Sequence, residues 1–132
     1  MVRPLTAMPD RRICLPIMKK MEWTKLTDRE QLDEIDAISA DRPVLIYKHS
    51  TRCIICHMTK RWLERELPGE DDGAYYFLDL LARRDISNAI AARYGIAHES
   101  PQVLVIRNGR CIHSASHMAI AEKEVLDGLR QA

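Results

Sequence analysis

No run of apolar residues in this chain approaches the roughly 18–20 that a membrane span needs, so no membrane role is expected. A charge bias is missing as well. Against 20 basic residues stand 19 acidic ones, a formal net charge of +1, which gives no general pull toward nucleic acid or anionic lipid. There is no internal repeat, low-complexity tract or linker. The four cysteines are too few and too unevenly placed for a secreted disulfide scaffold. Near the start, Arg3, Arg11 and Arg12 flank only Ile13-Cys14-Leu15-Pro16-Ile17, shorter and more broken than the roughly 7–15 apolar residues of a secretory core. Secretion is therefore not expected, and a cytoplasmic location is. What remains is 132 residues, 46% hydrophobic and 30% charged, the composition of one soluble globular domain. Residues 1–21 read as an N-terminal extension outside the fold, with a second possible translation start around Met18, and residues 22–132 read as the domain.

Thr27-Asp28-Arg29-Glu30 has the form of a capping box, with Thr27 as N-cap. Leu32, Ile35 and Ile38 follow at helical spacing, and the helix is expected to stop near Ala40. Pro43 then opens Val44-Leu45-Ile46-Tyr47, a run too short for a helix that reads as a buried central strand. His49-Ser50-Thr51-Arg52 is a polar turn. A helix follows from Ile54 to Leu67, with Ile55, Met58, Trp62 and Leu63 on one side, stopped by Pro68-Gly69. After a polar loop to Gly73, Tyr75 to Leu80 reads as a strand and Asp85 to Tyr94 as a helix ended by Gly95. Val103 to Ile106 and Cys111 to Ala115 form a hairpin around Asn108-Gly109. An amphipathic helix from His117 to Leu129 closes the chain. Crossover helices in the first half imply parallel strands, and the hairpin adds antiparallel ones. This order predicts an α/β thioredoxin-like fold: a central mixed sheet of about four strands flanked by helices.

The chemistry concentrates in Cys53-Ile54-Ile55-Cys56. Cys53 follows a core strand and opens a helix, where the first N–H groups lack backbone partners and the helix dipole is positive. Both favour thiolate over thiol, and the thiolate is the species that attacks a disulfide. Cys56, one turn on, is placed to attack a mixed disulfide formed on Cys53. The predicted roles are nucleophile for Cys53 and resolving thiol for Cys56. Lys48, His49 and Arg52 precede the pair. A cation there would lower the thiol pKa further, although Lys48 and Arg52 also read as solvated surface, and His49 as either a proton gate or a structural histidine. His57 is expected to lie on another helix face without a role.

Ser100-Pro101 stands at the head of the third strand. In a thioredoxin-like fold a cis proline at this point packs opposite the cysteine pair, and the bond is expected to be cis. Cys111 reads as a small buried hydrophobe; Cys14 has no evident partner. A reading from another class makes Cys53 and Cys56 half of a zinc site completed by Cys111 and His113, or Cys53 a ligand of an iron–sulfur cluster shared between two copies. A C-x-H on a strand sends both side chains to the same face, so geometry leaves the zinc site open. A binding or stress-adaptor protein without turnover is a further alternative.

Tyr47-Lys48-His49-Ser50-Thr51-Arg52-Cys53 closely resembles the active-site approach of the monothiol bacilliredoxin family of the bacillithiol system. Asp79, Arg84 to Asn88, His98-Glu99-Ser100-Pro101-Gln102-Val103, Asn108-Gly109, Ser116-His117 and Ile120 extend the likeness from about Trp23 to Leu129. The resemblance implies a cytoplasmic thioredoxin-like oxidoreductase that removes bacillithiol from protein mixed disulfides, needing no cofactor or metal. It implies Cys53 as attacking cysteine and Pro101 as the cis proline. His49, Arg52, His98, Glu99, Ser100 and Pro101 are the expected substrate-binding residues. Its partners would be oxidised or bacillithiolated client proteins and a low-molecular-weight thiol, not nucleic acid or membrane, with the chain a monomer or weak dimer. The family usually has proline after the first cysteine and serine at the position of Cys56. Ile54 and Cys56 depart from that pattern, and a second thiol permits a dithiol cycle.

Overall fold

The computed structural model describes residues 21–69, 73–116, 120 and 123–131. The bulk of the extension, with Cys14, lies outside the described residues, as do most of the loop before Gly73 and the expected helix start at His117. Met21 is described, and it is buried in the core beside Leu67, so the packed unit includes this last residue of the expected extension.

The strands are β1 (Trp23–Lys25), β2 (Val44–His49), β3 (Ala74–Asp79), β4 (Gln102–Arg107) and β5 (Arg110–Ser116). The helices are α1 (Gln31–Ile38), α2 (Ile54–Glu66), α3 (Arg84–Tyr94) and α4 (Lys123–Gln131). The sheet has five strands in the order β1-β3-β2-β4-β5, one more than expected. β1, β3 and β2 are parallel; β4 and β5 are antiparallel additions. The extra strand is only three residues long, too short to carry an alternating pattern. A side chain holds it: Trp23 Nε1 donates to Glu64 of α2 at 2.7 Å, and its ring packs on Tyr47, Tyr75 and Phe77.

Every residue of β2 is buried, as the uninterrupted apolar run requires of a strand covered on both faces. Alternation divides the core in two. Leu45, Tyr47, Tyr75, Val103 and Val105 face α2 and α4, meeting Leu63, Leu67, Val125 and Leu129. Val44, Ile46, Tyr76, Leu78, Leu104 and Ile106 face α1 and α3, meeting Leu32, Ile35, Ile86 and Ile90.

Two local expectations differ from the structure. The capping box at Thr27 does not form: Asp28 accepts from Glu30 N–H at 2.9 Å, and the Gln31 side chain accepts from Thr27 and Asp28 N–H. These two side chains occupy the donors, and the helix starts at Gln31. The buried stripe of α2 is Cys56, Thr59 and Leu63, whereas Ile55 and Met58 are exposed. A cysteine and a threonine carry core positions there that apolar periodicity does not register.

The hairpin turn puts Asn108 and Gly109 at φ 54° and 73°, the left-handed pair of a two-residue turn. Buried Ser39 ties this turn to α1: its carbonyl accepts from Asn108 N–H and Arg107, and its hydroxyl from Gly109 N–H. Antiparallel pairing then places Lys48 opposite Gln102, and parallel pairing sets His49 beside Asp79. The loops after β2 and before β4 therefore meet at one end of the sheet.

Ile46, central and fully buried, is expected to lose about 2–5 kcal/mol of stability on truncation to alanine. Ile54→Ser, on the exposed face of α2, should stay within about 0.5 kcal/mol. Urea denaturation of the two variants checks the contrast.

Candidate active site

The chain leaves β2 at His49, and a turn closed by Cys53 N–H on Ser50 O at 3.2 Å delivers Cys53 to the N-cap of α2. Its backbone is extended there, at φ −111° and ψ 121°, and its side chain is partly exposed. The Cys56 N–H holds the Cys53 thiol below its ordinary value against the opposing effect of burial, with the Cys56 thiol and the Ile55 N–H adding to the lowering. Cys56 is fully buried, and burial pushes its thiol up. Within one helical turn the two sulfurs are thus unlike: an accessible one that favours the anion, and an enclosed one that favours the proton. None of the described cysteines is in a disulfide.

The Cys56 sulfur lies 3.8 Å from Ser100 Oγ. The Ser100–Pro101 peptide is cis, Pro101 is buried, and Gln102 Nε2 donates to Ala97 O at 3.0 Å across the preceding loop. Glu99 is exposed and accepts from the Ser116 hydroxyl. Arg52 is exposed beside Cys53. Cys53, Arg52, Ser100 and Pro101 therefore gather at the same end of the sheet, with Glu99 and half-buried His98 on the flanking loop.

His49 does not stand on that surface. Only 2% of it is exposed, because β2 alternation turns it beneath α2, against the rings of His57 and Phe77. Tyr47 Oη donates to Cys56 O at 2.7 Å, and its oxygen lies 3.2 Å from His49 Nδ1. Since the tyrosine proton is committed to the carbonyl, His49 supplies the other, which puts its ring proton on Nδ1. Burial pushes the His49 pKa down to about 4, with His57 and Lys60 adding to the effect. His57 is exposed and its Nε2 lies 3.0 Å from Thr51 O, so this residue braces the turn. The sequence reading missed Tyr47, although its position six residues before Cys53 in a two-sided strand marks it as facing α2.

Lys48 is not solvated surface. Its side chain is fully buried on the α1/α3 face, with Nζ 3.4 Å from Ser87 O and 3.3 Å from His98 Nδ1. Burial lowers its pKa to about 8. The zinc set does not assemble either. A register shift at Val105/Ile106 sends Cys111 to the α1/α3 core and leaves His113 under α4, 3.0 Å from where a Cβ on Gly128 would stand. Cys111 pairs with Ile106, which pairs with Val44, the end of the sheet away from Cys53. Among the described residues no group of three or more His, Cys, Asp or Glu is placed to hold a metal ion.

A family profile described as monothiol bacilliredoxin BrxC matches residues 24–125. The chain belongs to this family. A bacilliredoxin of this kind has a general thiol–disulfide oxidoreductase role. Among solved structures, a proposed oxidoreductase with a thioredoxin fold is 28% identical, with TM-score 0.69 over 79% of this chain and 90% of that one. The Malassezia sympodialis thioredoxin Mala s 13 is 20% identical, with TM-score 0.64 over 86% and 92%. A Trypanosoma brucei brucei thioredoxin is 15% identical, with TM-score 0.63 over 86% and 92%. The last two show the fold alone.

The His49 shift makes an acid-stability prediction. Between its ordinary value of 6.5 and about 4, the unfolded chain takes a proton that the folded one refuses, so stability falls as pH drops through that window. The loss amounts to up to about 3 kcal/mol. His49→Gln, which can still donate to Tyr47, should flatten the pH dependence of urea midpoints between pH 6.5 and 4. An unchanged slope would contradict the assignment.

Proposed function

We propose that this bacilliredoxin reduces mixed disulfides between client proteins and a low-molecular-weight thiol of the bacillithiol type, in the cytoplasm, by a dithiol cycle. The Cys53 thiolate attacks the mixed disulfide; one S–S bond breaks, one forms, and the client leaves as a thiolate. The low-molecular-weight thiol is now bonded to Cys53. Cys56 then loses its proton and attacks Cys53, releasing the small thiol and leaving a Cys53–Cys56 disulfide, which an external thiol reductant must reopen. The observation that carries this reading is the placement of two thiols within one turn of α2, Cys53 partly exposed at the helix start and Cys56 buried against Ser100, which biases them in opposite directions. Arg52, Ser100 and Pro101 would border the bound disulfide, and the exposed side chains of Ile54, Ile55 and Met58 beside Cys53 would meet the client.

Intact mass after exposure to bacillithiol disulfide tests the cycle. The wild type should lose two hydrogens as the internal disulfide forms and bacillithiol disulfide is reduced to two thiols. Cys56→Ser should hold a reversible adduct of one thiol on Cys53, and Cys53→Ser should form none and reduce client disulfides only at the uncatalysed rate. Full activity in Cys53→Ser would overturn the proposal.

A further inference from the structure

The Lys48 ammonium is buried with no carboxylate against it among the described residues; its polar neighbours are Ser87 O and His98 Nδ1. The Ser87 hydroxyl also lies 2.9 Å from the same nitrogen. A protonated lysine can only donate. His98 Nδ1 must therefore be the bare, accepting nitrogen, and the ring proton sits on Nε2. An Nδ1–H would aim a proton at an ammonium 3.3 Å away. The ring is only half-buried, and Nε2 has no partner among the described residues. It lies two residues from Ser100, whose hydroxyl contacts Cys56. Lys48 and Arg84 both set positive potential on this ring, with Glu99 opposing; the Glu99 carboxylate is bonded to Ser116.

We propose that Lys48 is a positioning residue that locks His98 as an Nε2–H donor, and that His98 thereby receives a carboxylate of the small-thiol partner beside Cys53. The role rests on the reading of Cys53 as the redox thiol and deepens it by naming the side chain that would hold a carboxylate of that thiol and the residue that positions it. Burial disfavours protonation of His98 as well, so the donor persists as a neutral N–H through neutral pH. The buried cation beneath it strengthens the N–H as a donor, without being reached by the ligand.

Two measurements test this. The first is 15N NMR of the His98 ring at neutral pH during titration with S-methylglutathione, which carries carboxylates and no reactive sulfur. The wild type should show a bare Nδ1, a protonated Nε2 and a saturable Nε2 shift; in Lys48→Met, of similar length and neutral, both tautomers should appear and the shift should be lost. A protonated Nδ1 in the wild type, or no saturable shift, overturns the proposal whatever the redox activity. The second is turnover. Lys48→Met and His98→Ala should each raise KM for glutathione disulfide about tenfold, the loss of roughly one charge-assisted hydrogen bond. In both variants the loss of kcat/KM should be about tenfold greater for glutathione disulfide than for uncharged 2-hydroxyethyl disulfide. Equal losses on both disulfides would make Lys48 merely structural and overturn the assignment. Activity of the wild type on 2-hydroxyethyl disulfide tests the redox reading by itself.

Discussion

The whole site depends on one covalent fact: Cys53 is the residue at which a fully buried strand ends its turn and α2 begins. Helix-start N–H groups have no intrahelical acceptor, and a sulfur anion at the N-cap is the acceptor they lack. The sheet on one side and the 96–101 loop on the other restrict what else can approach. A thiolate is stabilised there without any neighbouring cation being required. This accounts for an exposed Arg52 that makes no contact essential to the geometry.

The same turn of helix gives Cys56 the reverse environment. Tyr47 pins its carbonyl from below, His49 supports Tyr47, and Ser100 closes the third side. β2 thus serves both faces of the sheet at the site. Tyr47 and His49 hold the α2 face, and Lys48, pointing the other way, holds the loop through His98. A strand that is apolar to its midpoint and polar at its last residues is expensive to bury. Each of these polar groups has a partner, and those partners are the segments that carry Ser100 and Cys56.

Much of this was legible in the sequence because its signals were local. Pro43, Pro68-Gly69, Gly95 and Asn108-Gly109 punctuate the elements, and the C-x-x-C after a polar turn marks the reactive thiol. What was not legible depends on tertiary contact. β1 exists because Trp23 reaches Glu64, 41 residues away. The phase of α2 is set by Cys56 and Thr59, which hydrophobic periodicity passes over. Lys48 looks solvated until α3 and the 96–100 loop cover it, and His49 looks substrate-facing until strand parity turns it inward. The register shift at Val105/Ile106 changes the parity of β5, so Cys111 and His113 part company despite their C-x-H spacing.

The most direct test of the central claim is the pH dependence of carboxamidomethylation of the reduced wild-type protein by iodoacetamide, resolved by peptide mass. The account predicts that Cys53 reacts first at every pH, with a midpoint below the free-cysteine value of about 8.5, while Cys56 reacts slowly throughout. A Cys53 midpoint at or above that value, or alkylation of Cys56 before Cys53, would contradict it.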